Sequence, residues 1–391
     1  MPSPVNDPAR RAAGHRGLDL RGRVLVGRYR LDEVVGCGGT ALVYAARDLL
    51  LRRRVAVKVF HPEHARSETQ RRHLRREARL LAHLEHPHIV SLLDFGEEPQ
   101  TLLVTGASPQ PGEAGLVSAG DPLVFLVMPL LRAPTLRDLV LAGALAWPRA
   151  ALLVVQLLAA VAALHRRGVL HRDLKSQNCL VTRRDGREHL YLLDLGLARV
   201  REPDLVSSGS GRPSVSRSRP GAIVGTLAYL APEQARGGPV DERADLYAVG
   251  VILFELLTRR LPFTGNDYAV LKGHVEVEPP TPSVVAPTAG IPAELDTIVL
   301  RALAKDPAQR FASADIFAGA LAPLLRGTST ASTEGPACLV PEHVGCEDAQ
   351  AALAAWTRFE NTAARRAADA AARIARAWLP LADMLGALAE E

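Results

Sequence analysis

Leu170-His171-Arg172-Asp173-Leu174-Lys175-Ser176-Gln177-Asn178-Cys179-Leu180 is the stretch around which this 391-residue chain can be read. Asp173 can accept the proton of an attacking hydroxyl. Lys175, two residues on, can neutralise charge on a moving phosphoryl group, and Asn178 can ligate a magnesium ion. One short loop therefore carries the parts needed for phosphoryl transfer. Its weight depends on whether the remaining parts of such a machine lie in order on either side.

Upstream, Arg28–Val35 reads as a strand, Gly36-Cys37-Gly38-Gly39-Thr40-Ala41 as a turn, and Leu42–Ala46 alternates as a second strand. A glycine-rich hairpin lets backbone approach phosphates closely, because no Cβ intrudes. The pattern also fits a dinucleotide-binding turn, but that needs a helix after the glycines and a strand follows here. A Walker loop is excluded, since no Gly-Lys-Ser/Thr follows. Val55-Ala56-Val57-Lys58-Val59 is a further strand, with Lys58 set among apolar residues. Ser67–Leu84 has helical period, with Leu74, Leu81 and Leu84 on one stripe and Glu77 inside it, ahead of His86-Pro87-His88-Ile89-Val90. Downstream, the short strand Leu190–Leu193 leads into Asp194-Leu195-Gly196. The segment that starts there closes on Gly225-Thr226-Leu227-Ala228-Tyr229-Leu230-Ala231-Pro232-Glu233. Asp245-Leu246-Tyr247-Ala248-Val249-Gly250 and Lys305-Asp306-Pro307-Ala308-Gln309-Arg310 come after it.

In this order the motifs resemble the eukaryotic-like serine/threonine protein kinases of bacteria, over roughly Arg28 to Leu325. The resemblance implies an α+β, two-lobed protein kinase fold, with a small strand-rich N-terminal lobe and a larger, mainly helical C-terminal lobe. The expected organisation is a flexible basic arm over 1–27, a small lobe over 28–130 with an insertion at about 99–121, a large lobe over 131–325, a linker over 326–346 and a helical tail over 347–391.

The same resemblance implies a division of labour. ATP lies under Gly36, Gly38 and Gly39, against Val43 and Ala56, with Lys58 on its α- and β-phosphates and Glu77 holding Lys58 in register. Met128 is the gatekeeper, and adenine bonds the carbonyl of Pro129 and the N–H of Leu131. Mg²⁺ or Mn²⁺ is held by Asn178 and Asp194, while Asp173 and Lys175 are catalytic. Ala41 replaces the third family glycine, and Leu195 replaces the family phenylalanine. Arg172 receives a regulatory phosphate carried by the Ser/Arg-rich segment, where Ser214, Ser216 and Ser218 are candidate acceptors. Thr226 bonds Asp173 and shapes the acceptor site, Asp245 braces the catalytic-loop backbone, and Arg310 pairs with Glu233. The expected activity is transfer of the γ-phosphate of ATP to protein Ser/Thr hydroxyls, with autophosphorylation. A pseudokinase scaffold predicts loss of Lys58, Asp173 or Asp194, and all three are present. A small-molecule kinase of related fold generally lacks the long segment closing in Ala231-Pro232-Glu233.

Composition sets the remaining bounds. The net charge of +5 is carried almost wholly by arginine, and lysine is kept at Lys58, Lys175, Lys272 and Lys305. The arginines are scattered and form no recognised nucleic-acid module, so no nucleic-acid partner is expected. Four irregularly spaced cysteines do not make a disulfide framework and fit a reducing cytoplasm. The longest apolar run, Ala150–Leu164, is short for a bilayer and carries Gln156, so no membrane span is expected. Apolar residues at helical spacing in the tail (Leu353, Trp356, Ile374, Trp378) leave docking on the kinase, on a regulatory partner or on a second copy all open.

Overall fold

Alternation of β-branched and small residues builds the N-terminal half. In the strands β2 (Tyr29–Cys37), β3 (Ala41–Asp48) and β4 (Arg53–Phe60), one face buries Tyr29, Leu31, Leu42, Tyr44, Val55, Val57 and Val59 in a single cluster. Each such aliphatic side chain, fully buried, contributes on the order of 1.5–3 kcal/mol relative to exposure. The structure is a computed structural model that describes residues 20–99, 101–103, 116–118, 121–143, 145–184, 186–193 and 227–327. Asp194, Thr226, Ser214, Ser216, Ser218, most of the 99–121 insertion, and the linker and tail from 328 onward lie outside the described residues. The chain divides into two compact units, Met1–Leu321 and Ala322–Glu391, and the catalytic loop, the glycine-rich turn and Arg310 all belong to the first.

With β1 (Val24–Leu25), β5 (Asp94–Glu98) and β8 (Leu123–Pro129), these strands form one antiparallel sheet in the order β1-β2-β3-β4-β8-β5. Residues 20–27, placed by the sequence in a flexible arm, join this fold: Leu25 is buried, and Leu31 N–H donates to the Arg23 carbonyl at 2.9 Å. Within the insertion, β6 (Thr101–Leu103) pairs antiparallel with β7 (Leu116–Ser118). The second face of the sheet takes Phe60, Val124 and Leu126 against Leu74 and Ala78 of α1 (Glu68–Ala82). Ser67 caps α1 by a reciprocal pair of bonds with Gln70, at 3.1 and 3.0 Å, which fixes where the helix starts.

The C-terminal half is helical. It comprises α2 (Leu136–Ala142), α3 (Trp147–His165), α4 (Pro232–Ala235), α5 (Glu242–Thr258), α6 (Asp267–Glu276), α7 (Pro282–Val285), α8 (Ala293–Ala302) and α9 (Ala314–Gly327). α3 and α5 are apolar nearly all round and pack on each other as the centre of this half. Among the described residues α3 is the one helix long and apolar enough to cross a membrane, and it is mostly buried inside the fold. Gly250 lets α5 meet the end of α8: a Cβ there would lie 2.8 Å from Ala302 Cβ. The only strands of this half, among the described residues, are β9 (Cys179–Arg184) and β10 (Arg187–Leu192), which form a hairpin.

Three histidines join the halves behind the catalytic loop. His88 Nδ1 bonds the Leu190 carbonyl at 2.9 Å, and His189 Nε2 bonds the Pro87 carbonyl at 2.8 Å. Ring centroids step from His86 to His88 at 5.7 Å, to His189 at 4.5 Å and to Tyr191 at 4.6 Å. Burial pushes His86 down to about 3 and His88 to about 4, aided in both by the charge of neighbouring histidine and, at His86, of Arg166 and Arg167.

Candidate active site

The catalytic loop leaves α3 and is set by a single buried carboxylate. Asp245, in the first turn of α5, accepts the backbone N–H of His171 on Oδ2 and that of Arg172 on Oδ1, both at 2.8 Å. His165, at the end of α3, bonds the same Oδ2 at 2.8 Å. Burial alone would raise the Asp245 carboxyl, but His165 and the Arg172 N–H hold it below the usual carboxylate range. These bonds keep Arg172 at φ 63°, a left-handed conformation costly for a residue with a Cβ.

The loop's side chains then converge. Lys175 Nζ donates to Asp173 Oδ2 at 2.7 Å, and Asn178 Nδ2 donates to the Asp173 carbonyl at 3.0 Å. With its nitrogen so committed, Asn178 is left with its amide oxygen, the kind of donor a hard divalent cation takes. Leu193 N–H donates to the Asn178 carbonyl at 2.7 Å, which brings the chain beside Asn178 one residue before Asp194.

The other site residues expected from the sequence lie on the sheet and next to it. Lys58 is 5% exposed and sits in register with Val43 of β3 and Leu126 of β8. Its Nζ lies 5.6 Å from the centroid of the Phe60 ring. Ala56 is in register with Met128, and Pro129 ends β8 opposite Val55. Leu131 follows, half-buried. Glu77 lies within α1, beside the core residue Ala78; its side chain lies outside the description. The turn after β2 is closed by Gly38 N–H donating to the Ala41 carbonyl at 3.0 Å, and His61 Nε2 lies 3.3 Å from the Gly38 carbonyl. A Cβ on Gly36 would touch Val43 at 3.4 Å, whereas Gly39 faces open space.

Arg310 donates from both Nη atoms to Glu233 at 2.8 Å. Its remaining N–H groups reach the carbonyls of Ala304, Lys305 and Arg243 at 2.8–3.3 Å, so a guanidinium only 2% exposed is fully bonded. Sequence reasoning missed a second buried network. Arg137 Nη1 donates to Glu255 Oε1 at 2.5 Å, Tyr229 OH donates to Glu255 Oε2 at 2.6 Å, and Ser176 Oγ lies 2.9 Å from the same Tyr229 oxygen.

A strand-rich half with a buried lysine and a helical half with an Asp/Lys/Asn loop define a protein kinase domain. The protein kinase domain family matches residues 29–320, and the chain belongs to this family. A probable serine/threonine-protein kinase of Streptomyces coelicolor is 39% identical over 295 residues, covering 75% of this chain and 39% of that protein. Serine/threonine-protein kinase PrkC of Bacillus subtilis is 33% identical, covering 76% of this chain and 40% of that protein. The chain thus spans about two-fifths of the length of these relatives. Among solved structures, the kinase domain of Mycobacterium tuberculosis PknI matches with a TM-score of 0.54 at 25% identity, covering 77% of this chain and 97% of that one.

Proposed function

We propose that the chain is a serine/threonine protein kinase that uses ATP and a divalent cation, Mg²⁺ or Mn²⁺, and phosphorylates its own activation segment as well as protein substrates. The observation that carries this reading is the convergence of Lys175 and Asn178 on Asp173 within one braced loop. In the step, the acceptor oxygen bonds the γ-phosphorus as the bond from that phosphorus to the β,γ-bridging oxygen breaks. The bridging oxygen keeps the electron pair and leaves on ADP, and the acceptor's proton passes to the Asp173 carboxylate. Lys175 stays within reach of the same transfer and neutralises charge on the γ-phosphoryl group. Lys58, with Glu77, positions the α- and β-phosphates under Gly36, Gly38 and Gly39, and Pro129 and Leu131 hold the adenine. Asn178 and Asp194 hold the cation, which when bound neutralises the phosphate oxygens. Arg172 takes up the phosphate of a modified Ser214, Ser216 or Ser218.

The test is incorporation of γ-phosphate from labelled ATP by the wild type and by Asp173→Asn, with mass spectrometry of the product. Phosphoserine or phosphothreonine is expected in the wild type. A fall of about 10²–10⁴-fold is expected in the variant, with nucleotide binding retained. A wild type that binds ATP and transfers nothing would overturn the reading.

A further inference from the structure

The buried network under the catalytic loop has a fixed direction. Glu255 is wholly buried and takes two donors, Arg137 Nη1 on Oε1 and the Tyr229 hydroxyl on Oε2, as an ionised carboxylate does. A phenol has one proton, and here the carboxylate receives it. Burial first, and then the neighbouring Glu255 charge, push the Tyr229 hydroxyl above its ordinary range, so it keeps that proton. The Ser176 hydroxyl, 2.9 Å from the Tyr229 oxygen and fully buried, must therefore be the donor of that contact. Protons are ordered along one line, from Ser176 to Tyr229 to Glu255, and Arg137 closes it.

The position of Ser176 gives this line its meaning. It follows Lys175 directly and opens the short 3₁₀ turn Ser176–Asn178, so it lies between the lysine that touches Asp173 and the asparagine that bonds the Asp173 carbonyl. Tyr229 lies in the segment that runs through Ala231 into α4 and the Glu233–Arg310 anchor. We propose that Ser176 is a positioning residue for the transfer. Its hydroxyl locks the catalytic loop to the 227–231 segment, so that Asp173 and Lys175 are placed only when that segment is seated on Glu255. This rests on the kinase reading above and extends it to a side chain outside the phosphoryl-transfer set.

Losing the Ser176 donor lets the loop shift relative to the segment while the nucleotide contacts of the sheet stay in place. The signature is a kcat effect without a nucleotide-affinity effect. The experiment uses the full chain as wild type, Ser176→Ala, Ser176→Thr, Tyr229→Phe and the Ser176→Ala/Tyr229→Phe double variant. The readouts are autophosphorylation rate, affinity for a fluorescent ATP analogue, and thermal unfolding. Ser176→Ala and Tyr229→Phe are each expected to lower the rate about tenfold. Nucleotide affinity should stay within about twofold, Ser176→Thr should restore most of the rate, and the double variant should be no slower than the slower single. An alanine variant within about twofold of wild type, or single losses that multiply in the double, would overturn the proposal. If the wild type transfers no phosphate, the kinase reading fails instead. The relay is then read from unfolding alone: non-additive losses keep it, and additive ones end it.

Discussion

The loop from His171 to Asn178 and the glycine-rich turn belong to the same compact unit and are held differently. From His171 to Asn178 the loop is tied to other elements by two backbone N–H groups on Asp245 and by Ser176 on Tyr229, and within itself by Asn178 on the Asp173 carbonyl. Between Gly36 and Ala41 the ties are a cross-turn bond, a His61 N–H donated to the Thr40 carbonyl at 2.9 Å and a longer contact from His61 Nε2 to the Gly38 carbonyl, with Gly38, Gly39 and Thr40 exposed. The difference follows from the two tasks. Reacting groups must be placed before the reaction, because a small misplacement near the bond being made costs orders of magnitude in rate. Segments that open and close over a ligand are drawn from the weakly held parts of a fold, and this turn is held less tightly than the loop.

Four perturbations break or sharpen this contrast. Asp245→Asn keeps the shape but turns one acceptor oxygen into a donor facing a backbone N–H. The expected result is a kcat reduced about 10- to 100-fold, with ATP affinity little changed. Equal losses in both would mean that loop and turn are not separately held.

Arg310→Met strands the buried Glu233 carboxylate, and breaking such a pair costs about 3–5 kcal/mol. Thermal unfolding should fall by about 6 °C or more, and a shift below about 2 °C would show that the anchor carries little.

Acid probes the histidine stack behind the loop. Near neutral pH, His86 and His88 are unprotonated in the fold, with values lowered to about 3 and about 4 from 6.5. Below pH 6.5 the unfolded chain gains protons that the fold refuses, so stability falls as pH drops through the window from 6.5 toward 4. His88→Gln should flatten that fall by at most about 1.4 kcal/mol per pH unit, read from denaturant midpoints at stepped pH. An unchanged slope would mean that His88 does not titrate in this way. The smallest effect is expected at the turn. His61→Ala should raise KM for ATP about two- to threefold and leave kcat unchanged; a tenfold fall in kcat would put the turn on the same footing as the loop.

The clustering of Asp173, Lys175 and Asn178 was legible in the sequence because their local spacing brings them together in one loop. The motifs at Asp245–Gly250 and Lys305–Arg310 were legible as well, and Gly250 has a steric reason in its contact with Ala302. The Ser176–Tyr229–Glu255–Arg137 network was not. Its members stand 53, 26 and 118 residues apart, and each alone reads as an ordinary loop or helix residue. The β9–β10 hairpin did carry a signal in Asp185-Gly186, a turn dipeptide between two short apolar runs. The entry of Val24–Leu25 into the sheet had none, because two residues are too few to show a period.

The brace on Arg172 also imposes an order on synthesis. The chain leaves the ribosome N-terminus first, so the catalytic loop emerges well before Asp245, 73 residues beyond Arg172. Until α5 follows, no carboxylate is present to hold Arg172 in its left-handed turn. A nascent chain can therefore display the whole six-stranded sheet while the loop is still unset. The loop takes its conformation only once the helix beneath it is in place.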